Sequence, residues 1–219
     1  MEDKTLYFNP RICVIGLGYV GLPLARLFST KYRTVAFDLN QGSVDELMRG
    51  TYSTLEVENN LLKSAIDMGK KYTDKGLVYT TDIEEIRNCN FYIVTVPTPV
   101  DENGNPVLRP LIEASETVGK VISRGDVVVY GSTVYPGVTE DECIPVVEKV
   151  SGLEYNIDFF AGYSSKRIYP GEKGHTVEKI LKVTSGSTPE IGKMVDEVYA
   201  SVITGGTFLA SSIRAAESA

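Results

Sequence analysis

The 219-residue sequence lacks any apolar run approaching the roughly 20 residues that a membrane-spanning helix requires. A helical membrane span is thereby excluded. Positive charge is in deficit, with 22 Lys and Arg against 29 Asp and Glu for a net charge of −7. Nucleic acids and anionic membrane surfaces need a summed positive field, so neither is an expected partner. Cysteine is scarce: Cys13, Cys89 and Cys143 lie far apart, lack metal-type spacing and are odd in number. They read as buried, reduced thiols, so neither a disulfide framework nor a metal site is expected. Histidine occurs once, as His175, and no cysteine has it close in sequence. The first ten residues, MEDKTLYFNP, are acidic and polar where a secretory signal is basic and then apolar. They are expected to lead into the domain, and the expected location is cytoplasmic.

What remains is an ordinary globular composition, 42% hydrophobic and 23% charged. A single α/β domain of this size should bury roughly three-quarters of the surface that its unfolded chain exposes. RICVIG at 11–16 is a short β-branched run ending in glycine, and LPLARLFSTK at 22–31 carries apolar residues at helical spacing. RTVAFD at 33–38 is again a strand, and it closes a βαβ unit within about thirty residues, as a parallel crossover requires. Further helices are predicted near 43–49, 56–70, 83–88, 111–123 and 139–150 and from Pro189, with strands at 90–99, 126–134, 157–164 and 179–187. Continuous apolar strands alternating with helices predict a parallel sheet covered on both faces. No internal repeat, low-complexity tract or linker divides the chain. The expected fold is one doubly wound, mostly parallel α/β domain over 11–210.

The sequence VIGLGYVG places Gly16, Gly18 and Gly21 in the spacing G-x-G-x-x-G. Alone, that triplet is weak, because turns use glycine freely. Here it follows a strand, opens a helix and precedes Asp38, which ends the second strand 22 residues after Gly16. Gly16 then permits the tight turn, Gly18 lets a pyrophosphate approach the backbone, and Gly21 lets helix and strand pack closely. The helix N-terminus offers free N–H groups and partial positive charge to the phosphates, the local device that an acidic protein needs for an anionic ligand. Asp38 suits two ribose hydroxyls and repels a 2′-phosphate, which favours NAD over NADP. Asn40 either shares the ribose or caps the next helix.

Two loops at strand carboxyl ends, VPTPVD at 96–101 and STVYPG at 132–137, read either as turn chemistry or as cofactor contacts. Pro97, Thr98, Ser132 and Thr133 are the candidates there. GYSSKRIYPGEKGH at 162–175 crowds three Lys or Arg, a Pro-Gly turn and His175 into fourteen residues. Arg167 suits a carboxylate or diphosphate, or is a surface arginine; His175 reads as a turn residue.

Together VIGLGYVGLPLA, FYIVTVPTPVD, STVYPG, GYSSKRIYPGEK and KVTSGSTPE resemble, in order and spacing, the UDP-glucose/GDP-mannose dehydrogenase family, nearest its branch acting on UDP-N-acetylhexosamines. The resemblance implies a Rossmann-type domain binding NAD and a two-step oxidation of a sugar C6 alcohol to the carboxylate, for capsule or surface polysaccharide. It implies that Leu17, Tyr19 and Val20 line the pyrophosphate loop with the three glycines, and that Asp38 meets the adenosine ribose. Thr98 and Thr133 would serve the nicotinamide half, and Arg167 and Ile168 the nucleotide-sugar substrate. In the family the long helix that connects the two domains builds the dimer, so the resemblance leaves a homodimer open for this chain.

The sequence also departs from the family pattern. Ser165, Lys166 and Tyr169 replace the usual Pro, Glu and Asn, and Gly131 stands where Glu is common. Val107 and Arg109 interrupt a stretch that usually reads Asp-Leu-Thr-Pro. Members run to about twice this length, with a catalytic cysteine in a second domain. Here SSIRAAESA at 211–219 would begin the connecting helix, and no cysteine occupies the nucleophile's place. No catalytic residue is therefore expected in this chain, which should bind cofactor weakly and turn over nothing alone. Two rival readings stand beside this one, a β-hydroxyacid dehydrogenase cofactor domain and a non-catalytic dinucleotide-binding module.

Overall fold

The computed structural model describes residues 9–50, 57–164 and 177–219. Eight strands form one sheet in the order β3-β2-β1-β4-β5-β6-β7-β8. They are β1 Ile12–Ile15, β2 Arg33–Phe37, β3 Gly76–Thr80, β4 Phe91–Val94, β5 Val127–Tyr130, β6 Phe160–Ser164, β7 Lys182–Gly186 and β8 Thr207–Leu209. The first six run parallel; β7 is antiparallel to β6, with Gly162 opposite Gly186, and β8 is parallel to β7. The predicted mostly parallel sheet is therefore present, with one reversal and a short edge strand beyond it.

The alternation along each strand explains the layers. In β1, Ile12 and Val14 enter one apolar core while Cys13 and Ile15 enter the other. The first core is closed by α1 Gly21–Phe28, α2 Gln41–Met48, α3 Asn59–Lys71 and α7 Pro189–Ala200, through residues such as Phe28, Leu47, Leu62 and Tyr199. The second is closed by α4 Ile83–Ile86, α5 Arg109–Gly119, α6 Ile144–Ser151 and α8 Ile213–Glu217, through Ile86, Leu111, Val147 and Ile213. A strand buried on both faces has no polar side to alternate, which is why its sequence is a continuous apolar run.

Helix boundaries follow side-chain chemistry. The Asn40 Oδ1 accepts from the Ser43 N–H and caps α2, and the Ser212 Oγ accepts from the Ala215 N–H and caps α8. The predicted helix at 139–150 begins as a wide π-type turn over Thr139–Cys143, in which the Ile144 N–H reaches back to the Thr139 carbonyl. Pro145 follows at the start of α6 and has no N–H to give to the Asp141 carbonyl, so the ordinary helical bond is missing there.

The order of the strands reverses at β1: its right-hand neighbour is β4, while the chain first continues to β2 on its left. A crevice opens outside the carboxyl ends at such a switch point, because successive connections diverge to opposite sides.

Candidate functional site

The glycine turn after β1 occupies this crevice. Gly16 has φ +91°, a left-handed backbone that side chains strain, and its N–H donates to the Phe37 carbonyl at 2.9 Å. Gly21 opens α1 at so close an approach that an added Cβ would overlap the Gly16 carbonyl and the Thr95 hydroxyl. Gly18 differs from both, since nothing lies within 4 Å of the position its Cβ would take. That space is where a phosphate could meet the backbone. α1 has no side-chain cap, as an anion-binding helix N-terminus requires. Tyr19 is exposed beside it, and Leu17 and Val20 are buried.

Asp38 stands at the end of β2 with its carboxylate already oriented. Its Oδ2 accepts the Leu17 N–H at 2.8 Å and its Oδ1 accepts the Asn40 N–H at 2.9 Å. Each oxygen retains acceptor capacity for a hydroxyl. Asn40 spends its side-chain oxygen on the cap of α2, at 3.2 Å from the Ser43 nitrogen. Next to Asp38 lies an open crevice of about 160 Å³, lined by Phe37, Leu39, Val96, Pro97, Pro110 and Ala114, with Glu113 and Thr117 at its polar edge. Apolar walls beside a ribose-type acceptor suit a flat heteroaromatic ring.

The loops after β4 and β5 form the other side. The Thr98 Oγ1 is buried with no hydrogen-bond partner among the described residues, a state that a bound ligand would relieve. Ser132 is committed to the fold: its Oγ donates to the Val96 carbonyl at 2.6 Å and ties the two loops together. Thr133 is exposed beside it. Arg167 and Ile168, with Ser165, Lys166, Tyr169 and His175, lie outside the described residues. Sequence reasoning passed over Thr95, whose Oγ1 donates to the Gly16 carbonyl at 2.8 Å and also lies 3.1 Å from that of Ile15. A threonine within the run FYIVTVP carries no local sign of that duty; only the pairing of β1 with β4 creates it.

The three cysteines are buried and unpaired. Burial, reinforced by Cys89, holds the Cys13 thiol well above its ordinary range, and burial pushes Cys143 up to about 12. Neither is a thiolate near neutral pH.

A strand, a glycine turn, an uncapped helix and an acid ending the second strand, set at the switch point of a parallel sheet, define a dinucleotide-binding domain of the Rossmann type. The model of the NAD binding domain of the UDP-glucose/GDP-mannose dehydrogenase family matches residues 10–203, and the chain belongs to that family. A UDP-N-acetyl-D-glucosamine 6-dehydrogenase of Pseudomonas aeruginosa is 54% identical over 209 residues, which cover 95% of this chain and 47% of that protein. The protein of the same name from Salmonella typhi is 49% identical, over 95% of this chain and 47% of its own length. Among solved structures, a UDP-D-ManNAc dehydrogenase from Pyrococcus horikoshii superposes with a TM-score of 0.83 at 29% identity, covering 94% of this chain and 48% of that one. The chain therefore spans about half the length of these relatives.

Proposed function

We propose that this chain supplies the NAD-binding half of an enzyme that oxidises the C6 alcohol of a UDP-N-acetylhexosamine to the carboxylate. The observation that carries the cofactor reading is the juxtaposition of open space at Gly18 with the Asp38 carboxylate, held by two backbone N–H groups. Bound there, NAD supplies the hydride acceptor. The glycine turn and the N-terminus of α1 would hold its diphosphate, and Asp38 its adenosine ribose. The slot of Leu39, Val96 and Pro97 would take the adenine, and the Thr98 and Thr133 hydroxyls would face the nicotinamide half. Arg167 and Ile168 are assigned to the sugar nucleotide on the family resemblance alone.

The sugar class rests on the relatives, of which the two at 54% and 49% identity are named for UDP-N-acetyl-D-glucosamine. By itself the chain is expected to bind NAD without steady turnover, because its cysteines are buried thiols. Such thiols also suit a reducing compartment, and we place the protein in the cytoplasm. A homodimer is the assembly to test by sedimentation.

Calorimetric titration with NAD and NADP tests the cofactor reading. NAD should bind and NADP should bind at least about tenfold more weakly, since a 2′-phosphate meets the Asp38 charge. Asp38→Asn should narrow that preference and weaken NAD itself. A folded chain that binds neither ligand, or that prefers NADP, defeats the assignment. NADH formation is then followed with the gluco, manno and galacto forms of the UDP-N-acetylhexosamine. Steady turnover by this chain alone would refute the assignment of catalysis to residues elsewhere.

A further inference from the structure

We infer that Glu217 is a positioning residue for the loop after β5, a role that rests on the cofactor reading above and extends it to the carboxyl-terminal helix. The near end of that loop is fixed within the sheet. The Ser132 Oγ donates to the Val96 carbonyl at 2.6 Å, and the Tyr163 hydroxyl donates to the Ser132 carbonyl at 3.0 Å. The far end is held from α8. There the Glu217 Oε2 accepts the Gly137 N–H at 2.5 Å, and its Oε1 accepts the Thr139 N–H at 2.9 Å.

Glu217 is only 7% exposed. A buried carboxylate is costly unless its oxygens are hydrogen-bonded, and here each oxygen takes a backbone N–H at the start of the Thr139–Cys143 turn. Those N–H groups belong to the segment that opens α6, so the charge also meets the positive end of a helix dipole. A second, exposed contact fastens the same pair of elements. The Arg214 Nη2 lies 2.6 and 2.8 Å from the two Asp141 carboxylate oxygens, and its Nε lies 3.4 Å from Glu140.

Between the two held ends, Thr133, Tyr135 and Pro136 are exposed and Val134 is half-buried. This stretch is a bridge with one abutment in the sheet and the other in a helix about 80 residues later in sequence, as the separations of 80 and 78 show. The placement of α8 therefore sets the placement of Thr133. Glu217 acts on cofactor binding through the loop and not by contact.

The test compares two ligands that share the adenosine diphosphate half. NADH binding is followed by nicotinamide fluorescence and ADP-ribose binding by calorimetry, for the unaltered chain and for Glu217→Gln. A glutamine can accept only one of the two N–H groups with its single oxygen. NADH should weaken about fivefold or more, while ADP-ribose changes by less than about twofold. Amide hydrogen exchange should quicken across Val134–Thr139 and stay unchanged across Gly16–Leu24. Arg214→Ala, which loosens the same helix from an exposed position, should shift exchange and NADH binding in the same direction by a smaller factor. Equal losses for both ligands, or normal NADH binding and exchange in both variants, would overturn the role of Glu217 and leave the cofactor reading intact. Failure of the unaltered chain to bind either ligand overturns the cofactor reading, and this role falls with it.

Discussion

The two sides of the crevice are built by different means. On the side of β1 and β2, the surface is mostly backbone: a left-handed Gly16, an open Gly18, a tightly packed Gly21 and an acid held by two N–H groups. On the side of β5 and β6, loop placement depends on side chains that reach across the fold, with separations of 36 residues for Ser132 to Val96, 31 for Tyr163 to Ser132 and 80 for Glu217 to Gly137. A backbone device is local in sequence and resists substitution by sterics. A side-chain clamp is distributed and can be loosened one hydrogen bond at a time.

The largest effect is expected at Gly21. Gly21→Val must place atoms where the Gly16 carbonyl and the Thr95 hydroxyl already sit, so the chain should lose about 3 kcal/mol or more in urea unfolding and lose NAD binding altogether. Near-normal stability would show that the turn can relax. Asp126 comes next and serves as a control far from the ligand. It is 6% exposed, and burial pushes its carboxyl up to about 6 against the opposing pull of the Ser123 N–H and Arg11. Between its usual value of 3.8 and about 6 the folded chain keeps a proton that the unfolded chain has released. The contribution of Asp126 to stability is therefore full below the lower value and is lost as pH rises through the upper one. Asp126→Asn should flatten that part of the stability profile, raise stability at pH 7 by about 2 kcal/mol and leave NAD affinity unchanged.

Thr98→Val sharpens the contrast at a single hydroxyl. Removing an unpartnered buried oxygen should stabilise the ligand-free chain by up to about 1 kcal/mol in thermal unfolding, yet weaken NAD about fivefold in calorimetry. An unchanged NAD affinity would remove Thr98 from the cofactor contacts. Gly131→Ala is the smallest. Its added methyl would meet the Thr95 Cγ2 at 3.4 Å, an ordinary contact, so unfolding and NAD binding should shift by less than about 0.5 kcal/mol.

The same division explains what could be read from the chain beforehand. The glycine triplet, its strand and helix, and Asp38 lie within one βαβ unit, where spacing alone carries the geometry. The apolar strands were legible because burial on both faces leaves no polar positions. β3 and β8 were missed: β3 is a five-residue run that opens on Gly76, and β8 has three residues, two of them exposed, so each leaves too short a pattern to register. The π-type turn at Thr139–Cys143 hides inside an ordinary helical periodicity, and Thr95 and Glu217 gain their roles only from tertiary pairing. Asn40 was readable in both of its possible duties, and the structure shows the cap.

The reversal of β7 has a consequence for divergence. Ser164 ends β6 and Lys182 begins β7 at the same rim of the sheet, because the two strands are antiparallel. Their connection needs no crossover helix, so its length and chemistry are uncoupled from the register of the strands. The departures at Ser165, Lys166 and Tyr169 all fall on that connection. Lineages sharing this sheet can thus rewrite that connection and leave the glycine turn between β1 and α1 as it was.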